Sequence, residues 1–425
     1  MPRHPGGRQP IDHRRIIGIL TSSADIRTMI GQGERALADL GRGLALARII
    51  DDRNAEAEVL FAIVSIYSAL FKYSETIATA NESLALCRAI GHQKGIADNL
   101  NIMGITYYWL GDTERAATLW REAMDIREKI GDLVGLADST SNMGLIQSRY
   151  GKYQEVLECF LKAYGILRHH GDLSKQALLL NNIGQAYAGL CDYDKAADYS
   201  QRALQLQLKI GNRLDQGLSL YNAGYLLLMQ GRYDDALADF EQALSLYRRI
   251  GDTVNEAWVL TGIGRAYLGL HRHDLAEDML EQAARMARAS GDDPILCRIE
   301  MTLGELELEE GRADEVKERI QTLTAMANRL RSQKTMGAAL ALQARLEAQG
   351  DPASADKSFQ AALGSFRDSN QSNELAVTSF HYATFLAARH RRTEAEAHLA
   401  TAEDIFRKIG NEQYLRAIEE LKPGY

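Results

Sequence analysis

Apolar and polar positions follow helical spacing along almost the whole chain. In residues 91–130, Leu100, Met103 and Tyr107 recur at i, i+3 and i+7, one face of a helix. Ala116, Trp120 and Ala123 recur at i, i+4 and i+7 and mark a second helix. Gly111-Asp112-Thr113 separates the two stripes. Glycine supplies the left-handed residue that ends one helix, and Asp or Thr caps the next. Gly131-Asp132 repeats the device. The pattern predicts helix, tight turn, helix, tight turn, over and over.

The repetition has a period of 40 residues. Gly91, Gly131, Gly171, Gly211, Gly251 and Gly291 fall in register, as do Gly104, Gly144, Gly184, Gly224, Gly264 and Gly304. A third series runs Gly111, Gly151, Gly231 and Gly311, with Cys191 and His271 in the gaps. Two series mark turns. The middle one lies inside the first helix, where glycine costs about 1 kcal/mol against alanine. A recurrent cost implies a recurrent steric need, here close approach of the second helix of the same unit. Ala116, Ala196, Ala236, Ala276, Ala355 and Ala395 are the matching small residues.

A large apolar residue, then an apolar-Gly pair, then Tyr, Ala, an aromatic and Ala resembles the tetratricopeptide (TPR) motif. It reads Leu100, Met103-Gly104, Tyr107, Ala116, Trp120, Ala123, and again Leu260, Ile263-Gly264, Tyr267, Ala276, Leu280, Ala283. The unit is longer than the common TPR, and the proline that usually ends the second helix is absent. Glu128 and Arg248 stand there, so that helix runs on to Ile130 and Ile250. This longer form resembles the arrays of the Pins/LGN adaptors and of MalT-type sensors. The resemblance implies an all-α fold, a right-handed α-solenoid of nine to ten helix-turn-helix units.

Units begin near residues 51, 91, 131, 171, 211, 251, 291, 331 and 370 and fill 51–409. Residues 11–50 read as a divergent N-terminal capping unit, with Arg27 where Tyr is expected. Residues 1–10 read as a disordered tail. Residues 410–425 carry one amphipathic stretch (Tyr414, Leu415, Ile418, Leu421) and read as a C-terminal capping helix. Unit 291–330 breaks the pattern, with Glu300 and Glu307 at apolar positions. Either a rotated helix leaves them solvated, or they mark a weak joint or an acidic docking patch.

Composition narrows the function. The chain of 425 residues has 35 glycines and six prolines, of which only Pro294 and Pro352 are interior. Each follows an Asp and fits a helix start, and the scarcity excludes a turn-rich β fold. A net charge of −8 argues against a nucleic-acid surface. The absence of an 18-residue apolar run argues against a membrane span. Four scattered cysteines and a polar, proline-rich start suit a cytoplasmic chain, and the Ala- and Arg-rich composition leans bacterial.

The resemblance also implies where ligands would lie, on the first helices lining a concave groove. Carried onto this sequence, that set includes Asn101, Ile105, Tyr108, Asn181, Gln185, Tyr221, Tyr225 and Arg265. Amides bond a peptide backbone, tyrosines add apolar area with a polar tip, and Arg265 suits a carboxylate. Asn142, Asn182 and Asn222 form a further ladder, either a backbone clamp or a structural consensus position. The His271-x-His273 and His169-His170 pairs lack a Cys or carboxylate at ligand spacing, so no metal and no cofactor is expected. No phosphate loop, nucleophile elbow or metalloprotease motif occurs, and the array leaves no room for a catalytic domain. The expectation is therefore a non-enzymatic scaffold that binds a protein or peptide segment. The alternative is a sensor array that binds a small ligand or signalling peptide and acts on an output partner.

Overall fold

The computed structural model describes residues 12–29, 32–170 and 172–422; the tail expected at 1–10 lies outside them. Among the described residues there are twenty-one helices and no strands. They run as ten antiparallel pairs and one last helix. In order they are α1 (His13–Met29), α2 (Gly33–Ile49), α3 (Arg53–Ala69), α4 (Tyr73–Ala89), α5 (Gln93–Trp109), α6 (Thr113–Ile130), α7 (Leu133–Arg149) and α8 (Tyr153–Leu167). Then come α9 (Leu173–Gly189), α10 (Tyr193–Ile210), α11 (Arg213–Met229), α12 (Tyr233–Ile250), α13 (Thr253–Gly269), α14 (His273–Ser290), α15 (Asp293–Glu309) and α16 (Ala313–Leu330). The chain closes with α17 (Gln333–Glu347), α18 (Pro352–Asp368), α19 (Ser372–Ala387), α20 (Arg392–Ile409) and α21 (Glu412–Leu421). This is an all-α, solenoid-like fold of paired helices.

The local devices follow from residue chemistry. Gly131 ends α6 at φ +73°, and Asp132 next to it accepts the Gly135 N–H that opens α7. Asp112, Asp192, Asp252 and Asp292 cap their helices the same way. Cys191 and His271, in glycine slots, also take the left-handed conformation, at φ 58° and 55°. Pro352 opens α18, and Pro294 is the second residue of α15.

The glycines inside first helices sit against second helices. A Cβ on Gly104 would clash with the Trp120 indole, and one on Gly264 would fall 2.7 Å from Leu280 Cγ. Trp120, fully buried, also donates from Nε1 to the Asn101 carbonyl at 3.0 Å. Gly304 is the exception: its Cβ would meet Leu342 of α17.

The chain divides into two compact units. The first holds 12–147 and 158–170, and the second holds 148–157 and 172–422. The first unit's core includes Leu40, Val64, Leu100 and Trp120. The second has a large core around Phe240, Tyr247, Leu260 and Leu280, and another around Phe359, Tyr382 and Phe406.

Within the second unit, the last helices return onto earlier turns. Asn411 caps α21 and is 3% exposed. Its Nδ2 donates to the Met229 carbonyl at 2.7 Å, 182 residues away. Asn370, at φ 51°, donates from Nδ2 to the Gly151 carbonyl at 3.3 Å. The partner turns have no room for a side chain. A Cβ on Gly151 would clash with the Asn370 side chain, 2.8 Å from its Cβ, and one on Gly231 would lie 3.1 Å from Asn411 Oδ1.

The reading of Glu300 and Glu307 needs correction. Neither is solvated, and they form no acidic surface patch: the two residues are 5% and 1% exposed. Arg319 of α16 holds both, with Nη1 at 2.6 Å from Glu300 Oε2 and Nη2 at 2.9 Å from Glu307 Oε1. Arg288 adds a contact to Glu300 at 3.3 Å. Burial pushes the Glu307 carboxyl up, against the pull of Arg319. The unit thus carries a buried charge cluster, in which Glu307 Oε2 is left without a hydrogen-bond partner.

Candidate functional site

The inner faces of the two units differ in what their polar residues do. In the first unit, Asn101 Oδ1 accepts from Ser139 Oγ at 3.0 Å and from Asn142 Nδ2 at 3.1 Å. Arg127, 3% exposed, donates to Ser139 Oγ, to the Gly135 carbonyl and to Asp98. Ile105 and Tyr108 pack on Trp120 and Ile146. These groups bond mainly to one another, with Arg127 Nε and Asp132 Oδ2 buried beside them without a hydrogen-bond partner.

In the second unit the same face opens into two adjoining cavities, of about 380 Å³ and 300 Å³. Of the residues singled out from the sequence, Gln185, Tyr221, Asn222 and Tyr225 line the larger one, and Arg265 lines the smaller. Asn222 Nδ2 is buried there without a hydrogen-bond partner. Asn181 is turned into the packing instead, 1% exposed and accepting from Ser219 Oγ at 3.0 Å. Asn182 is half-buried and outside both cavities.

Sequence reasoning missed several wall residues: Trp258, Arg298, Lys334 and Glu374 in the larger cavity, and Arg345 and His381 in the smaller. Trp258 and Arg298 share a register position with Asp98, three residues before the Asn101 position. The change along that register from acid to Trp and Arg was the available signal. Glu374, on α19, belongs to both cavities and comes from the helices that fold back.

Arg298 is the centre of the charge pattern. Its guanidinium lies 5.1 Å from the Trp258 ring centre and 5.3 Å from that of Tyr225, within cation–π range. Arg265 approaches Tyr225 at 5.9 Å. Burial raises the Tyr225 phenol, but Arg298 and Arg265 outweigh it and hold it below its usual range. Burial likewise raises the Glu374 carboxyl, while Lys334, its own backbone N–H, Arg265 and Arg298 bring it below the usual range. Lys334 Nζ stands 3.5 Å from Glu374 Oε1. In the smaller cavity, burial keeps the Glu305 carboxyl raised despite Arg265 and Arg345. Burial and Arg345 push the His381 imidazole well below its usual value. The walls thus offer fixed cations, aromatic faces, a carboxylate and an unpaired amide, a set suited to a zwitterionic, partly apolar ligand.

Among the described residues no helix is long and apolar enough to cross a membrane. One cluster there has metal-ligand spacing: His271, His273 and Glu309.

Known proteins place this geometry in context. The tetratricopeptide repeat family model matches residues 95–169, 175–249 and 215–289. No curated protein matches the chain. A Rap protein complexed with Competence and Sporulation Factor is similar in structure, with a TM-score of 0.66 at 12% identity, over 83% of this chain and 98% of that one. The Rap conjugation gene regulator of plasmid pLS20, in complex with a Phr peptide, gives 0.56 at 14%, over 84% and 96%. Aspartyl phosphate phosphatase F from Bacillus subtilis gives 0.56 at 14%, over 82% and 93%. At these identities the likeness is one of fold.

The last of these corrects the expectation that such an array is not an enzyme. A protein named a phosphatase is built on this fold over 82% of the present chain. The argument that catalysis would need a further domain therefore fails. The repeat register, the helix-crossing glycines and the family match lead to one conclusion: the chain is a TPR-like all-α repeat protein.

Proposed function

We propose that the paired cavities of the second unit bind a short peptide segment, and that the chain is a peptide-responsive regulator of a protein partner. The observation that carries this reading is the convergence of Arg298, Trp258, Tyr225, Lys334 and Glu374 from five separate helices on one cavity. Two structures of the same fold hold a named factor and a Phr peptide. Of the adaptor-type and sensor-type arrays, the size and mixed polar and aromatic lining of these partly open cavities favour the sensor. Cavities of a few hundred Å³ are ligand-sized, whereas adaptors present open grooves. A cytoplasmic site of action belongs to the same proposal.

Chemistry narrows the ligand further. Arg298 and Lys334 suit a carboxylate, Glu374 and Glu305 suit an amine or guanidine, and the rings suit an apolar side chain. The test is a solution library of fluorescein-labelled hexapeptides, scored by polarisation against the whole chain. A subset with a free carboxylate and one apolar residue should bind, and Arg298→Ala should abolish that binding. Binding by no member, or binding that Arg298→Ala and Tyr225→Ala leave unchanged, would contradict the proposal.

A further inference from the structure

We propose that His271, His273 and Glu309 form a binding site for a divalent transition-metal ion, with zinc as the favoured occupant. The inference stands independently of the peptide reading. The two histidines sit in the turn before α14 and at its start, and Glu309 ends α15. Stacking of consecutive helix pairs brings these separate segments together. His273 Nε2 lies 3.1 Å from Glu309 Oε2, and His271 Nδ1 lies 3.6 Å from the same oxygen. One ligand atom from each residue lies within 4.8 Å of the others. Tetrahedral zinc, with bonds of about 2.0–2.2 Å to N and O, spaces its ligand atoms about 3.3–3.5 Å apart. The cluster needs only small side-chain shifts to reach that geometry.

The surroundings also fit. On the far side of the His273 ring, Nδ1 lies 3.5 Å from Glu310 Oε1. Glu310 is itself held by Arg312, Nε to Oε2 at 2.7 Å. A carboxylate behind a histidine fixes the tautomer and orients the ring toward a metal. With Nδ1–H donated to Glu310, Nε2 presents a lone pair to the Glu309 carboxylate. In that tautomer His273 Nε2 and the Glu309 carboxylate, 3.1 Å apart, form a ligand pair; in the other, Nε2–H donates to Glu309 and the ion displaces that proton. His271 and His273 are 73% and 25% exposed in their side chains, so an ion reaches the site from solvent.

His271 replaces a glycine found in four other units and holds φ 55° there. Phe71 and Cys191 hold the same conformation in the same slot, so the turn accepts a side chain there and His271 places an imidazole in it. Imidazole donors favour zinc, copper, nickel or cobalt over magnesium and calcium. Three protein ligands leave a fourth position. His271 and Glu309 also line the smaller cavity, so a water or a donor group entering that cavity can fill it.

The test uses untagged, chelator-treated whole chain, titrated with zinc by calorimetry and with cobalt by visible absorption. The expected result is one equivalent bound, with the intense absorption of four-coordinate cobalt. His273→Ala and Glu309→Gln should lose that signal. Glu310→Gln should weaken zinc binding about 10- to 100-fold, as outer carboxylates do. His390→Ala, a histidine turn residue elsewhere, should bind as the parent chain does. Circular dichroism would confirm that each variant keeps its helices. A chain that binds no metal at millimolar concentration would overturn the proposal, as would a folded His273→Ala that binds like the parent. Either result would leave a shared proton as the cation between His273 and Glu309.

Discussion

The two units build their inner faces from the same register and use it in opposite ways. In the first, Asp98 pairs with Arg127 at 2.7 Å, and Asn101, Ser139 and Asn142 bond to one another and to Arg127 across neighbouring repeats. In the second, Trp258 and Arg298 occupy the Asp98 register and project into a cavity. Asn222, in the Asn142 register, keeps a buried amide without a partner. The difference teaches that repeat position does not assign a role. A polar residue stabilises where the neighbouring unit supplies its partner, and it is available to a ligand where it does not.

The sharpest way to break this comparison is to truncate one arginine from each unit. Arg127→Ala should cost about 3–5 kcal/mol in urea unfolding, because Asp98 loses its buried partner. Arg298→Ala should cost less, about 1 kcal/mol, since Glu374 keeps Lys334 as its ion-pair partner at 3.5 Å. Equal losses would erase the distinction.

A smaller effect is expected where the second unit closes on itself. Asn411→Ala removes the bond to the Met229 carbonyl and the cap of α21, for about 1–3 kcal/mol. Hydrogen exchange should accelerate around 228–232 and 410–415. Unchanged exchange would mean that the last helices are held by apolar packing alone.

The next effect is a pH dependence. His381 has a folded pKa below its unfolded value, so the unfolded chain binds its proton first. The neutral ring's contribution is complete above about pH 6.5 and is lost as pH falls below that value. The slope is at most about 1.4 kcal/mol per pH unit, and His381→Asn should flatten it in denaturation curves at pH 5–7. Parallel curves for parent and variant would show that the imidazole is not held neutral. Smallest of all, Arg331→Gly should stabilise by up to about 1 kcal/mol, because residue 331 ends α16 in the left-handed region at φ 50°. A lower melting temperature in calorimetry would contradict that.

Much of the fold was legible in the sequence because its causes are local and periodic. The turn glycines, the capping aspartates and the crossing pairs such as Gly264 with Leu280 recur every 40 residues. Tyr221, Tyr225 and Arg265 were within reach for the same reason. The contacts of Asn370 and Asn411 were not, since they join turns about 180 to 220 residues apart and follow no period. Glu374 entered the cavity through that closure. Glu300 and Glu307 were misread because a sequence shows charges without partners, and Arg319 supplies theirs from the second helix. His271 and His273 lacked a carboxylate at ligand spacing in their own unit; stacking brings it from the next.

The central claim is that the second unit's inner face, and not the first unit's, holds the ligand. It is tested most directly by one titration of a library-selected hexapeptide against Arg298→Ala and Asn101→Ala side by side. Loss of a buried arginine anchor should weaken binding about 30-fold or more, in the range of interface hot spots, while Asn101→Ala should bind as the parent chain does. Unchanged affinity in Arg298→Ala, together with loss in a folded Asn101→Ala, would contradict the account.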